Sequence, residues 1–319
     1  MKDSYNRNID YLRISVTDLC NLRCTYCMPE EGILKTEHSK ILSVDKIEEI
    51  VRVCAELGTR KVRLTGGEPL VRRGIIEICQ RISSIPGIEE LCITTNGILL
   101  KKYARDLKLA GVDRINISLD TLNEEKYKKI TRCTCSDSPV KQIFEGIEAI
   151  KKEGFENIKI NTVLMGGVND DEIADLVELT KDNDYQVRFI ELMPIGEATK
   201  WDKSSFISNK TVLEKLPDLK AAGDSGVAHL YKIPGYKGCV GLISPVSNHF
   251  CSECNRLRLM ADGKLKACLH SNKETSVINL EGDELRNAII SEIKNKPKNY
   301  DLSVSNPSSS ERTMNRIGG

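Results

Sequence analysis

Short runs rich in β-branched residues alternate with longer amphipathic stretches over the first two thirds of the chain. This order is typical of repeated βα units on a parallel sheet. It predicts six strands and five intervening helices, the strands at 11–16, 61–65, 91–95, 114–118, 157–164 and 186–190 and the helices at 43–57, 72–84, 99–109, 138–153 and 171–183. Because six units are two short of a closed eight-fold barrel, the pattern indicates an α/β fold, a partial (βα)6 TIM-like barrel.

Polar residues recur at every second position of these strands, although a strand covered on both faces should be apolar throughout. Examples are Arg13, Arg63 and Lys159. The side-chain period of a strand is two, so these polar sets are expected to line the barrel interior. Buried cations need compensation, which predicts a multivalent anionic ligand such as a nucleoside triphosphate. For Lys61 and Arg114, which come early in their strands, the alternative is that they reach solvent at the lower rim.

The pattern changes at about Tyr231 to glycine-rich short strands, followed by a helix near 283–294 and a polar end. We therefore predict a barrel over residues 1–230, a small C-terminal domain over 231–298 and a flexible tail over 299–319.

The charges nearly cancel, with 47 Lys and Arg against 46 Asp and Glu, so no global field favours a nucleic-acid polymer or an anionic membrane. The beginning of the sequence has no apolar signal region, and no apolar run is long enough to span a bilayer, which predicts a cytoplasmic protein. Without a signal peptide, the 12 cysteines are expected to serve metal binding or chemistry rather than disulfides.

The first cysteine triplet follows the first strand with the spacing Cys20-x3-Cys24-x2-Cys27, a pattern that resembles the radical S-adenosylmethionine (SAM) superfamily. Three thiolates can hold three irons of a [4Fe–4S] cluster and leave the fourth iron open for SAM. The alternative is a zinc site, which usually has four closed ligands. The resemblance implies that an electron from the cluster cleaves SAM to methionine and a 5′-deoxyadenosyl radical.

Further matches to this superfamily lie where the predicted strands end. They include a Gly66-Gly67-Glu68-Pro69 segment after the second strand and short segments after the third, fourth and sixth strands. Glycine allows close backbone approach, and a glutamate can accept from an ammonium. The resemblance implies SAM contacts from Tyr26, Gly67, Glu68, Ser118 and Met193.

A second triplet has the spacing Cys251-x2-Cys254-x13-Cys268. The spacing alone fits a second cluster or a zinc ribbon with His249 or His270 as the fourth ligand. With the first triplet, it resembles the GTP 3′,8-cyclase family, which implies a second [4Fe–4S] cluster whose open iron binds the purine of GTP. The substrate contacts that the resemblance implies are Arg13, Lys61, Arg63, Thr94, Lys159, Arg188, Arg256 and Arg258.

This resemblance implies that GTP is converted to 3′,8-cyclo-7,8-dihydro-GTP at the start of molybdenum-cofactor synthesis. It further implies an external one-electron donor of the flavodoxin or ferredoxin type, a downstream cyclic pyranopterin monophosphate synthase and a homodimer. The sequence ends in Gly318-Gly319, as the family does. Because a bare Gly-Gly can enter a narrow site, we hypothesise that these two glycines reach the active site and order its basic groups.

Two other functions remain open at this point. One is a peptide-modifying radical SAM enzyme with auxiliary clusters, which generally needs more cysteines than the three after Cys239. The other is a non-enzymatic nucleic-acid scaffold, which the neutral charge and the 5% aromatic content disfavour. Cys54 and Cys79 fit small core positions in helices. Cys133 and Cys135 have no functional interpretation.

Overall fold

The computed structural model describes residues 1–33, 37, 40–134 and 136–318. Its centre is a row of six parallel strands, β1 to β6, at Tyr11–Ser15, Lys61–Thr65, Glu90–Thr95, Arg114–Ser118, Lys159–Leu164 and Gln186–Glu191. Each strand pairs with the next in the order of the chain. The predicted strand set and the partial-barrel class are confirmed, with ends that differ by at most two residues.

Within the described ranges, six α-helices lie between these strands, α1 to α6, at Val44–Glu56, Ile75–Ser83, Leu100–Leu109, Glu124–Thr131, Pro139–Lys152 and Ile173–Glu178. The hydroxyl of Ser43 caps α1 by accepting from the backbone N–H of Lys46. The sequence pattern missed α4, which is short and mostly polar and begins at an Asn123 cap.

The predicted helix at 171–183 is wrong in extent. A 3-10 turn at Asp170–Glu172 precedes α6, which ends at Glu178. Beyond it, the carbonyl of Thr180 accepts from the backbone N–H of Gly238, so this carbonyl bonds outside the helix that the periodicity suggested.

The remaining strands extend the same sheet on both sides. A hairpin of β7 (Lys220–Ser225) and β8 (Ala228–Lys232) leads into β9 (Cys239–Ile243), which pairs in parallel with β6. On the other side, β10 (Arg256–Leu259) pairs in parallel with β1 and is followed by β11 (Lys264–Lys266) and β12 (Thr275–Ser276). The sheet therefore has eight contiguous parallel strands, and the predicted domain boundary after residue 230 falls inside β8.

Three more α-helices, α7 to α9, lie in the part of the chain that the structure describes, at Lys210–Lys215, Gly282–Lys294 and Met314–Ile317. The core lies between the sheet and the helices, where strand residues such as Leu12, Val62 and Ile93 are fully buried. Burial of each such side chain contributes about 1.5–3 kcal/mol. None of the helices in the part of the chain that the structure describes combines the length and apolar composition of a membrane span.

Candidate active site

The first cysteine loop follows β1 and lies against the loop that follows β2. A Cβ atom on Gly67 would stand 2.3 Å from the carbonyl oxygen of Leu19, and one on Gly66 would stand 2.5 Å from that of Thr17. The backbone N–H of Gly67 donates to that Thr17 carbonyl at 2.8 Å. Both glycines are therefore required for the close packing of the two loops, in addition to any contact with SAM.

The three thiols of this loop, those of Cys20, Cys24 and Cys27, are half-buried and unpaired with one another in disulfides. Burial raises the pKa of Cys20 to about 11 and of Cys27 to about 12. Burial, with a contribution from the Cys27 sulfur, also raises the pKa of Cys24 well above its usual value. Thiols so placed ionise only beside a strong positive charge, which bound iron supplies. The residues present therefore fit an iron–sulfur cluster.

Among the described residues, no group of three or more His, Cys, Asp or Glu side chains converges as the ligands of one metal ion would. A [4Fe–4S] cluster does not require such convergence, because each thiolate binds a different iron.

Glu68 joins the loops that follow β2 and β3. Its carboxylate is almost fully buried and accepts from the Thr95 hydroxyl at 2.8 Å, from the backbone N–H of Asn96 at 2.7 Å and from that of Leu70 at 3.0 Å. Burial raises the pKa of Glu68 to about 7 against these hydrogen bonds. Glu68 therefore holds the loops that follow β2 and β3 together, in addition to any contact with SAM.

Tyr26 lies in the cysteine loop and donates its hydroxyl to Asp120, just beyond the end of β4, at 2.8 Å. Asp120 also accepts from the backbone N–H of Val163, and burial raises the pKa of Asp120 to about 6. Ser118 ends β4 and Met193 follows β6, both half-buried. The predicted SAM residues thus lie at or just after the carboxyl ends of the parallel strands, at one edge of the sheet.

The second triplet flanks β10 and β11, with Cys251, Cys254 and Cys268 all half-buried and free of disulfides. Burial alone would raise the pKa of Cys254, but the Lys296 ammonium and the Arg256 guanidinium outweigh it and lower that pKa to about 7. Much of this thiol is therefore ionised at neutral pH, which is the form that binds iron.

The two histidines that were alternative zinc ligands have partners in the C-terminal tail. The Nε2 atom of His249 donates to the carbonyl oxygen of Leu302 at 2.9 Å, and the Nδ1 atom of His270 lies 3.3 Å from the Ser308 hydroxyl. These contacts give both imidazoles a structural role in holding the tail.

The basic residues of the inner face form a row across neighbouring strands of the sheet. In the strand register, Arg258 of β10 is opposite Arg13 of β1, which is opposite Arg63 of β2. The row continues through Cys92 of β3 to Arg114 of β4. In the same register, Lys159 of β5 lies opposite Asn116 of β4, and Arg188 of β6 lies opposite Asn161 of β5.

Several of these cations have only neutral partners. Arg63 donates to the Tyr11 hydroxyl at 2.5 Å and to the Thr94 hydroxyl at 3.1 Å, and Arg188 donates to Gln186 and Ser225. Within the described ranges, no carboxylate forms an ion pair with Arg63, Lys159, Arg188, Arg256 or Arg258.

The pKa values report the same crowding of positive charge. Burial, reinforced by Arg188, Arg114 and the other neighbouring cations, lowers the pKa of Lys159 to about 7. Burial and Arg256 lower the pKa of Arg258 to about 10. Such a cluster is stable only when an anion compensates it.

Lys61 and Arg114 differ from these residues because both contact Glu90. The Lys61 ammonium lies 2.7 Å and the Arg114 guanidinium 3.3 Å from one carboxylate oxygen of Glu90. Burial opposes ionisation of Glu90, but the Cys92 thiol and the Lys61 ammonium lower its pKa to about 2. These groups line a wide cleft at the lower rim with Arg60, Glu89 and Asp113, so their positions favour the rim alternative over direct substrate binding.

Two asparagines of the inner face were not predicted as ligands. The Oδ1 atoms of Asn116 and Asn161 are buried and accept no hydrogen bond from the described residues. A buried acceptor without a donor is costly, so both atoms are available to a hydroxyl or amino group of a ligand. The sequence signal was their place in the polar set that alternates with apolar residues along β4 and β5.

The C-terminal tail, which the sequence predicts to be flexible, packs back into the barrel opening. The carbonyl oxygen of Gly318 accepts from Arg258 at 3.0 Å. Gly318 has φ +74°, and a Cβ there would stand 2.4 Å from the Thr65 hydroxyl oxygen. Gly319 and Cys135 lie outside the described residues.

The tail also connects the two cysteine triplets. The backbone N–H of Asn315 donates to the sulfur of Cys27. Gly318 contacts Arg258, whose guanidinium lies near the sulfurs of Cys254 and Cys268; burial lowers the pKa of Arg258 to about 10 although these sulfurs oppose it. These contacts are only three residues apart in a helical turn that rises about 1.5 Å per residue. The tail turn α9 therefore reaches from Cys27 of the first triplet to Arg258, just after Cys254 of the second, and the space that these residues border is here called the chamber.

The other cysteines lie outside these two groups. Cys54 and Cys79 are buried in the core beneath α1 and α2. Cys92 and Cys239 belong to β3 and β9, and Cys133 is buried after α4.

Residues 14–180 match the family described as the radical SAM superfamily, and residues 185–302 match that described as Molybdenum Cofactor Synthesis C. Curated relatives named GTP 3′,8-cyclase include those of Alkaliphilus metalliredigens, 50% identical over 324 residues with 100% of both chains covered, and of Lactiplantibacillus plantarum, 43% identical over 331 residues with 99% of this chain and 98% of the relative covered.

Two solved structures share the fold at lower identity. Streptococcus suis SuiB bound to S-adenosylmethionine matches with a TM-score of 0.62 and 16% identity, over 89% of this chain and 68% of that one. The enzyme anSMEcpe with bound AdoMet matches with a TM-score of 0.61 and 17% identity, over 86% and 79%. The paired thiol loops, the partial barrel and the full-length relatives lead to one assignment: this chain belongs to the radical SAM superfamily and, within it, to the GTP 3′,8-cyclase family.

Proposed function

We propose that this protein is a radical SAM enzyme that carries two [4Fe–4S] clusters and converts GTP to (8S)-3′,8-cyclo-7,8-dihydroguanosine 5′-triphosphate, the first step of molybdenum-cofactor biosynthesis. The observation that carries the proposal is the in-register row of cations between two half-buried thiol triplets. A triphosphate supplies the compensating charge, and the thiols supply the iron ligands.

Each end of the chamber has its own task. At the first triplet, Cys20, Cys24 and Cys27 hold the cluster that binds SAM, with Tyr26, Gly67, Glu68, Ser118 and Met193 around it. When bound, the cluster and SAM supply the radical chemistry that removes the C3′ hydrogen of GTP and lets C3′ close on C8 of guanine.

The second triplet and the inner cations hold the nucleotide. Cys251, Cys254 and Cys268 would hold a second cluster, which would supply an iron to bind the purine. Bidentate guanidinium groups such as Arg13, Arg63 and Arg258 fix the phosphates, so that C3′ faces the SAM end. Gly318 and Gly319 keep this cationic group in order. Catalysis by these side chains is positioning.

Two partners are expected because the proposed reaction needs an electron that this chain does not generate and yields a product that must react further. Reductive cleavage of a sulfonium needs an external one-electron donor, for which a flavodoxin or ferredoxin is suited. The cyclic product still carries a triphosphate and needs a second enzyme, a cyclic pyranopterin monophosphate synthase, to rearrange it. The resemblance to the family supports the homodimer, and the composition supports the cytoplasmic location.

The peptide-modifying alternative is disfavoured. SuiB shares the fold at 16% identity, whereas the GTP 3′,8-cyclase relatives match the full chain at 43–50%.

Lys159 makes GTP binding pH-dependent. Its pKa of about 7 in the free protein rises when a triphosphate binds, so above pH 7 binding must take up a proton. The KM for GTP is expected to rise above pH 7 by up to about tenfold per pH unit. Lys159→Arg, which keeps its charge, is the control and should flatten this rise. An equally steep rise in the arginine variant would contradict the role of Lys159.

Arg63 and Lys61 should differ in effect, although both are basic residues of β2. Arg63→Ala is expected to lower kcat/KM for GTP by about tenfold or more, because a charge-assisted hydrogen bond contributes about 1.5–3 kcal/mol. Lys61→Ala should change it less than about threefold, since Lys61 is paired with Glu90 in a half-exposed bridge. Steady-state kinetics decide, and equal losses in both variants would restore Lys61 as a direct ligand.

Anaerobic purification with iron and sulfide counts, followed by assay of SAM cleavage with and without GTP, tests the function as a whole. We expect about eight irons per chain and GTP-dependent cleavage. One cluster with one zinc, or cleavage that ignores GTP, would contradict the proposal.

A further inference from the structure

The tail is attached to the rest of the protein by a group of contacts at residues 308–313, here called the tail anchor. Its centre is Arg312, whose Nε and NH2 atoms lie 2.6 Å and 2.8 Å from the two oxygens of Glu274. The same NH2 atom lies 2.6 Å from Asp262 in the turn between β10 and β11. This is a bidentate arrangement with a second carboxylate added, the strongest type of surface ion pair.

Neighbouring residues of the anchor bind the same part of the protein. The Ser310 hydroxyl accepts from the fully buried Lys266 at 2.8 Å, and the Ser309 hydroxyl donates to the carbonyl of His270 at 2.9 Å. The backbone N–H of Glu311 donates to Asn272 at 2.9 Å. The anchor therefore lies on β11 and on the loop that begins at Cys268.

Beyond the anchor, the chain has little freedom before it reaches the chamber. Thr313 passes Gly196 so closely that a Cβ on Gly196 would stand 3.2 Å from the Thr313 Cα. The single turn α9 then brings Asn315 to Cys27 and Gly318 to Arg258. Only five residues lie between Arg312 and Gly318, so the anchor fixes where the end of the chain lies.

We propose that Arg312 is a positioning residue for the reaction: its ion pairs with Glu274 and Asp262 hold the tail so that Gly318 reaches the cation cluster. The inference rests on the proposed function, since it concerns the order of the same chamber. Arg312 itself lies at the hairpin, and it acts through the tail.

The charges around the tail anchor indicate that loss of the Arg312 side chain detaches the tail but leaves the hairpin of β10 and β11 in place. Glu274 has two further cations nearby, with the Lys264 ammonium at 3.4 Å and the Lys266 ammonium at 3.7 Å. Asp262 is 24% exposed, and its Oδ1 atom is buried without a hydrogen-bond partner among the described residues. Without Arg312, Glu274 therefore stays compensated by these two lysines, whereas the tail loses its ion pairs with this surface.

Limited trypsin digestion of the anaerobic holoenzyme tests the anchor without GTP. Cleavage after Arg316 removes the last three residues, which intact-mass spectrometry detects. We expect Arg312→Ala to speed this cleavage by tenfold or more, to lower kcat for cyclisation by tenfold or more, and to leave the iron content and the KM for SAM unchanged. The control is Arg286→Ala. It removes the exposed ion pair between Arg286 on α8 and Glu56 on α1.

A second variant guards against loss of the hairpin. Insertion of two glycines between Thr313 and Met314 leaves Arg312 paired and displaces Gly318, and it should lower kcat as Arg312→Ala does. Native kcat with unchanged cleavage at Arg316 in Arg312→Ala, or full kcat in the insertion variant, would overturn the proposal. If wild-type enzyme does not convert GTP, the proposed function fails, while the digestion still decides whether Arg312 holds the tail.

Discussion

Replacement of Gly318 by alanine is expected to lower kcat for GTP cyclisation by about 10²-fold or more, because small displacements at a reacting centre have effects of that size. Gly318 has φ +74°, a conformation that alanine adopts with strain, and the added Cβ would meet the Thr65 hydroxyl oxygen at 2.4 Å. The turn must then withdraw from Arg258. Deletion of Gly318 and Gly319 should have at least the same effect.

The matched control is Gly167→Ala. Gly167 has nearly the same backbone conformation, φ +72°, but lies in the open with no atom within 4 Å of a built Cβ. Both variants should keep two clusters and native SAM binding, measured by iron content and by calorimetry. Unchanged turnover in Gly318→Ala would show that the end of the chain has no part in the reaction.

Replacement of Cys24 by alanine is expected to abolish SAM cleavage and to reduce the iron content from about eight to about four per chain, since a cluster held by three thiolates loses a third of its protein ligands. The effect is this large because Cys24 lies between its two partners in the loop, and its pKa is raised by burial and by both of their sulfurs.

Cys79→Ala provides the comparison. Cys79 is fully buried in α2 and packs in the apolar core, so its loss should lower stability slightly and leave the iron content unchanged. Retention of GTP-dependent SAM cleavage by Cys24→Ala, or loss of iron from Cys79→Ala, would contradict the assignment of the first triplet.

The strands and the polar inner face were predictable because each depends on local periodicity. Alternation within five or six residues places Arg13 and Arg63 on the same side as their strand neighbours, and the register then brings them together. The cysteine spacings were equally local signals. The predicted helix at 171–183 failed because amphipathic periodicity does not report where carbonyls such as that of Thr180 find partners outside the helix.

Other features depend on contacts between distant parts of the chain, for which the sequence carries no local signal. Tyr11 pairs with Arg256. β10 therefore lies beside β1 in the sheet, although most of the chain separates the two strands in sequence. The ion pair that Lys61, a predicted substrate ligand, forms with Glu90 at the rim is another such contact. The tail anchor at Arg312 likewise depends on two acidic residues more than 35 positions away.

The central claim is that SAM and GTP occupy one chamber, with C3′ of the nucleotide facing the SAM end. GTP carrying deuterium at C3′ tests it most directly in the anaerobic, reduced holoenzyme. The account predicts that deuterium appears in the methyl group of the 5′-deoxyadenosine product, as measured by mass spectrometry. 5′-Deoxyadenosine formed in the presence of this GTP but free of deuterium would contradict it.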